Sequence, residues 1–176
     1  MILGVVLAGG QSSRFGSDKA LAELGGRTLL LRAVDALSGW CEQVVIAGRE
    51  IGPAPCIPDW PRPGMGPLAG VAAGLHYARD MDFESVLTCG VDAPNLPEDL
   101  AELLSPAPAY LADQPVIGHW PIGAASEVET ILEAEGKHSM RAFAEAIGAR
   151  PVKSGTKSVN INTRADLTAA EKTNGI

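Results

Sequence analysis

A chain of 176 residues, 46% hydrophobic and 20% charged, is long enough to bury a core without disulfide or metal staples and too apolar for a disordered or fibrous protein. Its formal charge of −7 argues against a nucleic-acid-coating surface, which needs a basic face. Cys41, Cys56 and Cys89 form no CxxC pair and are odd in number, so neither a disulfide framework nor a zinc site is indicated. The N-terminus shows no charged leader and no cleavage site, and its apolar run is too short to span a membrane. The expectation is a cytoplasmic protein with no membrane partner.

The apolar run Ile2–Leu7 reads as a buried first strand. Leu29, Leu30, Ala33, Val34 and Leu37 share one helical face, which predicts a helix over residues 28–37. Gln43–Ala47 is a second strand, ended by Gly48. Residues 57–59 carry a third short strand into a Pro/Gly-rich loop at 60–67, and a helix rich in small residues follows at 68–79. Residues 85–89 have the composition of a central strand, and 97–104 of a helix with Pro in its first turn. Residues 109–112 and 115–118, separated by Asp113 and Gln114, form a hairpin or two short sheet strands. Ser126 with Glu129, and Thr163 with Asp166, match the capping-box spacing and should open helices. A further helix is expected at 139–147 and a late strand at 157–161. This alternation predicts an α/β fold: a doubly wound, mostly parallel Rossmann-like sheet with helices on both faces, whose ligands bind outside the carboxyl ends of the strands.

Four stretches carry chemistry. The first is L-A-G-G-Q-S-S-R-F-G-S-D-K at residues 7–19, a glycine-rich loop opening directly from the first strand. Gly9, Gly10 and Gly16 let backbone N–H groups converge on phosphate oxygens, and Arg14 and Lys19 add cationic side chains where a polyphosphate needs them. The loop is not a P-loop, because Ala20 follows Lys19, and it lacks the G-x-G-x-x-G dinucleotide spacing. The second is G-M-G-P-L-A-G at residues 64–70, with Asp59 upstream; Gly66, Pro67 and Leu68 would lie against a ligand at a helix N-terminus. The third is C-G-V-D-A-P at 89–94. Asp92 leaves the end of a buried strand and, in that position, is a hard oxygen ligand suited to Mg²⁺ bridging a triphosphate. The fourth is N-I-N-T-R-A-D-L at 160–167, where Asn160 and Asn162 point to the same side of an extended segment. Two weaker signals are Lys137, His138 and Arg141, able to grip an anion, and His119 within G-H-W-P at 118–121.

The first stretch resembles the nucleotidyltransferase signature L-A-G-G-x-S-S-R-M-G-x-D-K, and within that superfamily the molybdenum cofactor guanylyltransferases, with Phe15 in place of Met. The resemblance continues through G-P-L-A-G, through D-x-P at Asp92, and through N-I-N-T-P-x-D-L with Arg164 in place of Pro. It implies a single nucleotidyltransferase domain over residues 1–176, with residues 1–105 binding nucleotide and 106–176 binding the acceptor. The implied reaction joins GMP from GTP to the phosphate of molybdopterin-bound molybdenum and releases pyrophosphate. The implied partners are GTP, the molybdopterin cofactor and other proteins of its assembly, with Mg²⁺ as cofactor. On this resemblance Lys19, Arg14 and Asp92 carry catalysis. Leu7, Ala8, Gly9, Gly10, Lys19, Asp59, Gly66, Pro67, Leu68 and Asp92 bind nucleotide, Arg141, Asn160 and Asn162 bind the acceptor, and Asp92 binds the metal. The family commonly has Asn where this chain has Gly48. Two other readings stay open: transfer from another nucleotide, such as cytidylyl transfer to molybdopterin or to a sugar or polyol phosphate, and a non-catalytic nucleotide-binding partner. Relatives that transfer cytidylyl groups usually read L-A-A-G, whereas Gly9 leaves room for a purine edge.

Overall fold

The structure, a computed structural model, describes residues 1–10, 18–155, 161 and 163–173. In β1 (Ile2–Leu7) five of six residues are buried; Leu3, Val5 and Leu7 pack on one side and Val6 on the other. A strand that is apolar on both faces needs strands on both edges and helices above and below it. It has them: β4 (Gln43–Ala47) and β6 (Ser85–Gly90) both pair with β1 in parallel. β5 (Cys56–Ile57) extends the sheet past β4. On the other side come β8 (Gln114–Pro121), β7 (Ala109–Leu111) and β9 (Arg150–Val152), giving the order β5-β4-β1-β6-β8-β7-β9. Only β8 runs against its neighbours among these strands. The mostly parallel sheet expected from the alternating patterns is therefore observed.

One face carries α2 (Pro67–Asp80), α4 (Ala125–Glu133) and α5 (Met140–Ala146), packed around Trp120, Phe143, Leu68 and Leu75. The other carries α1 (Leu29–Ser38) and α3 (Leu100–Leu103) around Leu30, Leu37, Ile46 and Leu87. A hairpin of β2 (Glu23–Leu24) and β3 (Arg27–Thr28) joins α6 (Arg164–Thr173) in a small separate core of Leu24, Leu29, Ile161, Leu167 and Ala170.

Local chemistry explains where the elements start. Thr28 caps α1, its Oγ1 accepting from Leu31 N at 3.0 Å, and Ser139 caps α5 in the same way at 3.0 Å. The Thr163–Asp166 capping box forms both of its reciprocal bonds, at 3.0 and 3.1 Å. The Ser126 box does not form. A 3-10 turn at Ile122–Ala124 follows Pro121 and starts the helix early, so Ala124 stands at the cap without a side-chain bond and Ser126 falls inside the first turn. The helix expected at 97–104 shrinks to Leu100–Leu103, because residues 97–100 close a turn (Leu100 N to Pro97 O, 3.1 Å) and Pro106 follows soon after. The expected strand at 157–161 lies outside the described residues except for Ile161, which is buried and in no strand.

Candidate active site

Register brings four strand ends to one edge. Leu7 pairs with both Ala47 and Gly90, and Ala47 pairs with Ile57. The chain leaving β1, β4, β5 and β6 therefore converges where Gly9, Gly48, Asp59 and Asp92 stand, the edge at which open α/β sheets bind ligands. A cavity of about 230 Å³ there is lined by Leu7, Ala8, Gly9, Gly10, Asp18, Lys19, Pro67 and Asp92. A second of about 120 Å³ shares Leu7, Gly9, Gly10 and Pro67 and adds Asp59, Gly64, Gly66 and Gly70. The shared residues make these two ends of one cleft.

The first end is built around Lys19. It opens a 3-10 turn, Lys19–Leu21, capped by Asp18, whose Oδ1 accepts from Ala20 N at 3.2 Å. Arg49, just past β4, places Nη1 2.9 Å from Asp18 Oδ2. The guanidinium hydrogen bond holds the Asp18 carboxyl below its ordinary pKa. Gly10, at φ 106°, turns the backbone in a conformation open to glycine, and a Cβ there would meet nothing within 4 Å. Asp92 follows β6 by two residues, as its D-x-P position predicts, and its backbone oxygen accepts from Ile161 N at 2.6 Å. Among the described residues no three His, Cys, Asp or Glu side chains gather into a metal cage. The cleft instead offers the Asp92 carboxylate near a cationic turn. That donor set suits a hard ion that keeps water and takes further ligands from a polyphosphate.

The second end is built around Asp59, whose carboxylate is seated among three glycines. A Cβ added at Gly9 would lie 2.9 Å from Asp59 Oδ2; one at Gly48 or Gly70 would lie 3.3 or 3.5 Å from Oδ1. Burial raises the Asp59 pKa above the ordinary carboxylate value. Gly48 itself sits at φ 89°, and a Cβ there would come within 2.6 Å of Gly9 Cα. The side-chain contact that the family's usual Asn would make is thus excluded by backbone packing between the ends of β1 and β4.

The remaining expected residues fall as follows. Leu68 is 0% exposed and packs in the core, so α2 presents Pro67 and Gly70 to the cleft rather than Leu68. Arg141 sits on the same side of the sheet, beyond the end of β7, donating from Nη2 to Ala112 O at 3.2 Å; it lines neither cavity. His138 bonds Ala134 O within the segment that joins α4 to α5. Arg14, Asn160 and Asn162 lie outside the described residues. His119 is removed from the cleft: it is 7% exposed, accepts at Nε2 from Ser85 Oγ (2.7 Å) at the opposite end of β6, and donates from Nδ1 to Leu104 O (3.0 Å). Sequence reasoning did not single out Arg49, although a lone cation right after a strand-ending glycine was visible.

A cleft over the carboxyl ends of a mostly parallel sheet, edged by glycines, with a lysine turn and two separated carboxylates, defines a nucleotide-binding transferase of the α/β class. The chain belongs to the MobA-like NTP transferase family, whose model matches residues 4–152. It is 40% identical to the molybdenum cofactor guanylyltransferase of Acidiphilium cryptum, over 95% of this chain and 92% of that protein. It is 34% identical to the enzyme of the same name from Rhodobacter capsulatus, over 97% and 95%. Among solved structures, the molybdopterin-guanine dinucleotide biosynthesis protein A of Archaeoglobus fulgidus superposes with a TM-score of 0.78 at 23% identity, covering 99% of both chains. The 2-C-methyl-D-erythritol 4-phosphate cytidylyltransferase of Thermus thermophilus shares the fold, with a TM-score of 0.67 at 20% identity over 98% of both.

Proposed function

We propose that this protein transfers the guanylyl group of GTP to the phosphate of molybdopterin-bound molybdenum and releases pyrophosphate. The observation that carries the reading is the cleft's polarity: a carboxylate cradled by glycines at one end, a lysine turn and a second carboxylate at the other. Guanine presents two adjacent N–H donors on its pairing edge, and an ionised carboxylate is an acceptor with two oxygens. Asp59 matches that edge. Cytosine offers a donor beside an acceptor there, and a carboxylate meets only the first. The names of the curated relatives support the same donor and acceptor.

The reaction is an in-line displacement. An oxygen of the acceptor phosphate forms a bond to the α-phosphorus, the bond from that phosphorus to the oxygen bridging to the β-phosphate breaks, and pyrophosphate leaves with the electron pair. The chain supplies position and charge rather than a nucleophile. Lys19 neutralises phosphate oxygens, Gly9 and Gly10 let the backbone approach them, and Asp59 fixes the base so that the α-phosphorus faces the acceptor. Asp92 would hold Mg²⁺, which when bound lowers the repulsion between the phosphates and the incoming oxygen. Arg14 is assigned to the phosphates, and Arg141, Asn160 and Asn162 to the acceptor.

The test is pyrophosphate release from each of four nucleoside triphosphates with Mg²⁺, with and without molybdenum cofactor. Release should require both GTP and the cofactor. Equal release from CTP would remove the base assignment, and release independent of the cofactor would remove the acceptor. Asp92→Asn keeps shape but loses charge. It should fold normally, lose activity by about 10²-fold or more, and recover part of it at raised Mg²⁺ or with Mn²⁺. Full activity of this variant at low Mg²⁺ would move the metal elsewhere.

A further inference from the structure

Arg49 is a residue at this edge to which the proposed reaction gives no task. It lies 31 positions from Asp18 in the chain, so their contact is a product of the fold. Nη1 stands 3.0 Å from Asp18 Oδ1 and 2.9 Å from Oδ2. Its side chain is 19% exposed and its Nε is buried with no hydrogen-bond partner. Exposed ion pairs contribute little and hold little in place. The Asp18 end of this pair is 44% exposed, but the guanidinium is largely covered, and a covered cation with one N–H left unsatisfied is costly to bury. The base of the Arg49 side chain is fixed, because Gly48 is locked at φ 89° against Gly9. At the other end of the pair, Asp18 caps the turn that begins with Lys19, and Ala22 N closes that turn on Lys19 O at 3.1 Å.

We propose that Arg49 is a positioning residue: acting through Asp18, it holds the Lys19 turn at the phosphate end of the cleft and ties it to the end of β4 beside the base end. The proposal rests on the reading of the cleft as a nucleotide site, but its test separates the two. Two alternatives make different forecasts. If Arg49 merely adds positive charge near an anion, then removing the negative charge of Asp18 should tighten anion binding. If it merely keeps the edge folded, both ends of the cleft should suffer together.

The experiment is calorimetric titration of the whole chain, in EDTA, with sodium tripolyphosphate and separately with guanosine. Wild type, Arg49→Gln, Arg49→Lys, Asp18→Asn and the double variant Asp18→Asn/Arg49→Gln are compared. Asn still caps a helical turn, so Asp18→Asn removes the ion pair and keeps the cap. Tripolyphosphate affinity should fall about 10-fold in Arg49→Gln and also in Asp18→Asn, the lower end of what one hydrogen bond to a charged group contributes. Arg49→Lys should fall between them and wild type, and the double variant should be no weaker than the weaker single. Guanosine affinity should not change. Tighter tripolyphosphate binding by Asp18→Asn overturns the proposal, as does a parallel loss of guanosine binding in Arg49→Gln. If tripolyphosphate behaves as stated while guanosine binds to none of the proteins, the purine reading fails and the role of Arg49 stands.

Discussion

A methyl group at position 9 would stand 2.9 Å from Asp59 Oδ2, closer than a Cβ normally approaches anything. Gly9→Ala should therefore push the Asp59 carboxylate off its seat, and with it the two-acceptor match to guanine that the proposal assigns to Asp59. The KM for GTP should rise by about 10-fold or more, the cost of leaving a base's hydrogen-bonding edge mispaired, while CTP use stays flat or improves. An unchanged GTP-to-CTP ratio in pyrophosphate release would show that Gly9 and Asp59 do not read the base. Asp59→Asn separates function from stability. Burial raises the folded-state pKa of Asp59, so its ionised form weakens the fold above that pKa and leaves it unaffected below the unfolded value. The Asn variant should thus melt higher than wild type near neutral pH, with the difference vanishing as acid protonates Asp59, and should bind GTP more weakly. A lower melting temperature at neutral pH would refute the stability half. Glycines and an upstream acid were legible as a motif at this scale. Their seating was not, because it arises where the ends of β1 and β4 touch and α2 passes beside them, and none of these contacts is local in sequence.

Elements read best where a local bond decides them. Thr28, Ser139 and the Thr163–Asp166 pair cap helices as their spacing predicts. Ser126 has the same pattern and fails, because the turn after Pro121 had already started the helix. The two-residue strands of the β2–β3 hairpin, and β9, carry too few residues for a periodicity to show. In β8 the G-H-W-P run looked like a site signal and proves to be packing. Trp120 is 0% exposed, donates from Nε1 to Thr88 Oγ1 at 3.0 Å, and stacks near Tyr110 and Phe143. Its ring lies under Gly118, where any Cβ would overlap it. Gly118→Ala should cost about 3 kcal/mol, the upper end for overpacking, because the ring cannot swing away without breaking its bond to Thr88. Chemical denaturation should show this as a lowered midpoint; a loss under about 0.5 kcal/mol would mean the strand yields freely. His119 beside it is held neutral by burial, which lowers its pKa. The unfolded chain then takes up a proton below about pH 6.5 that the fold excludes, so stability falls as pH drops through that range. His119→Gln should reduce the melting-temperature difference between about pH 7.5 and about pH 5 and leave pyrophosphate release intact. An activity loss with a normal fold would return His119 to the chemistry.

At the scale of the whole molecule, the core and the proposed site occupy different places. Most of the largest buried side chains, among them Trp120, Phe143, Leu37 and Leu75, lie in the two layers that sandwich the sheet. Lys19, Asp59 and Asp92 stand at one edge of it, in loops that begin where the strands stop. The doubly wound pattern was readable because strands buried on both faces are uniformly apolar and helices between them are amphipathic. The antiparallel course of β8 was not, since reversing one strand's direction leaves its apolar pattern the same. This division predicts that charge can be removed from the cleft without loosening the core. Lys19→Ala deletes a cation from a turn whose cap and closing bond, Asp18 to Ala20 N and Ala22 N to Lys19 O, involve no part of the lysine side chain. Turnover should fall by about 10²-fold or more, as when a preorganised charge donor is removed from a developing anion. The far-UV circular dichroism and melting temperature should match wild type. The proposal puts Lys19 on the phosphates and Asp59 on the base, so guanosine affinity should also be unchanged. Near-normal turnover would reduce Lys19 to a surface charge, and a lowered melting temperature would show that the edge and the core are not separable in this fold.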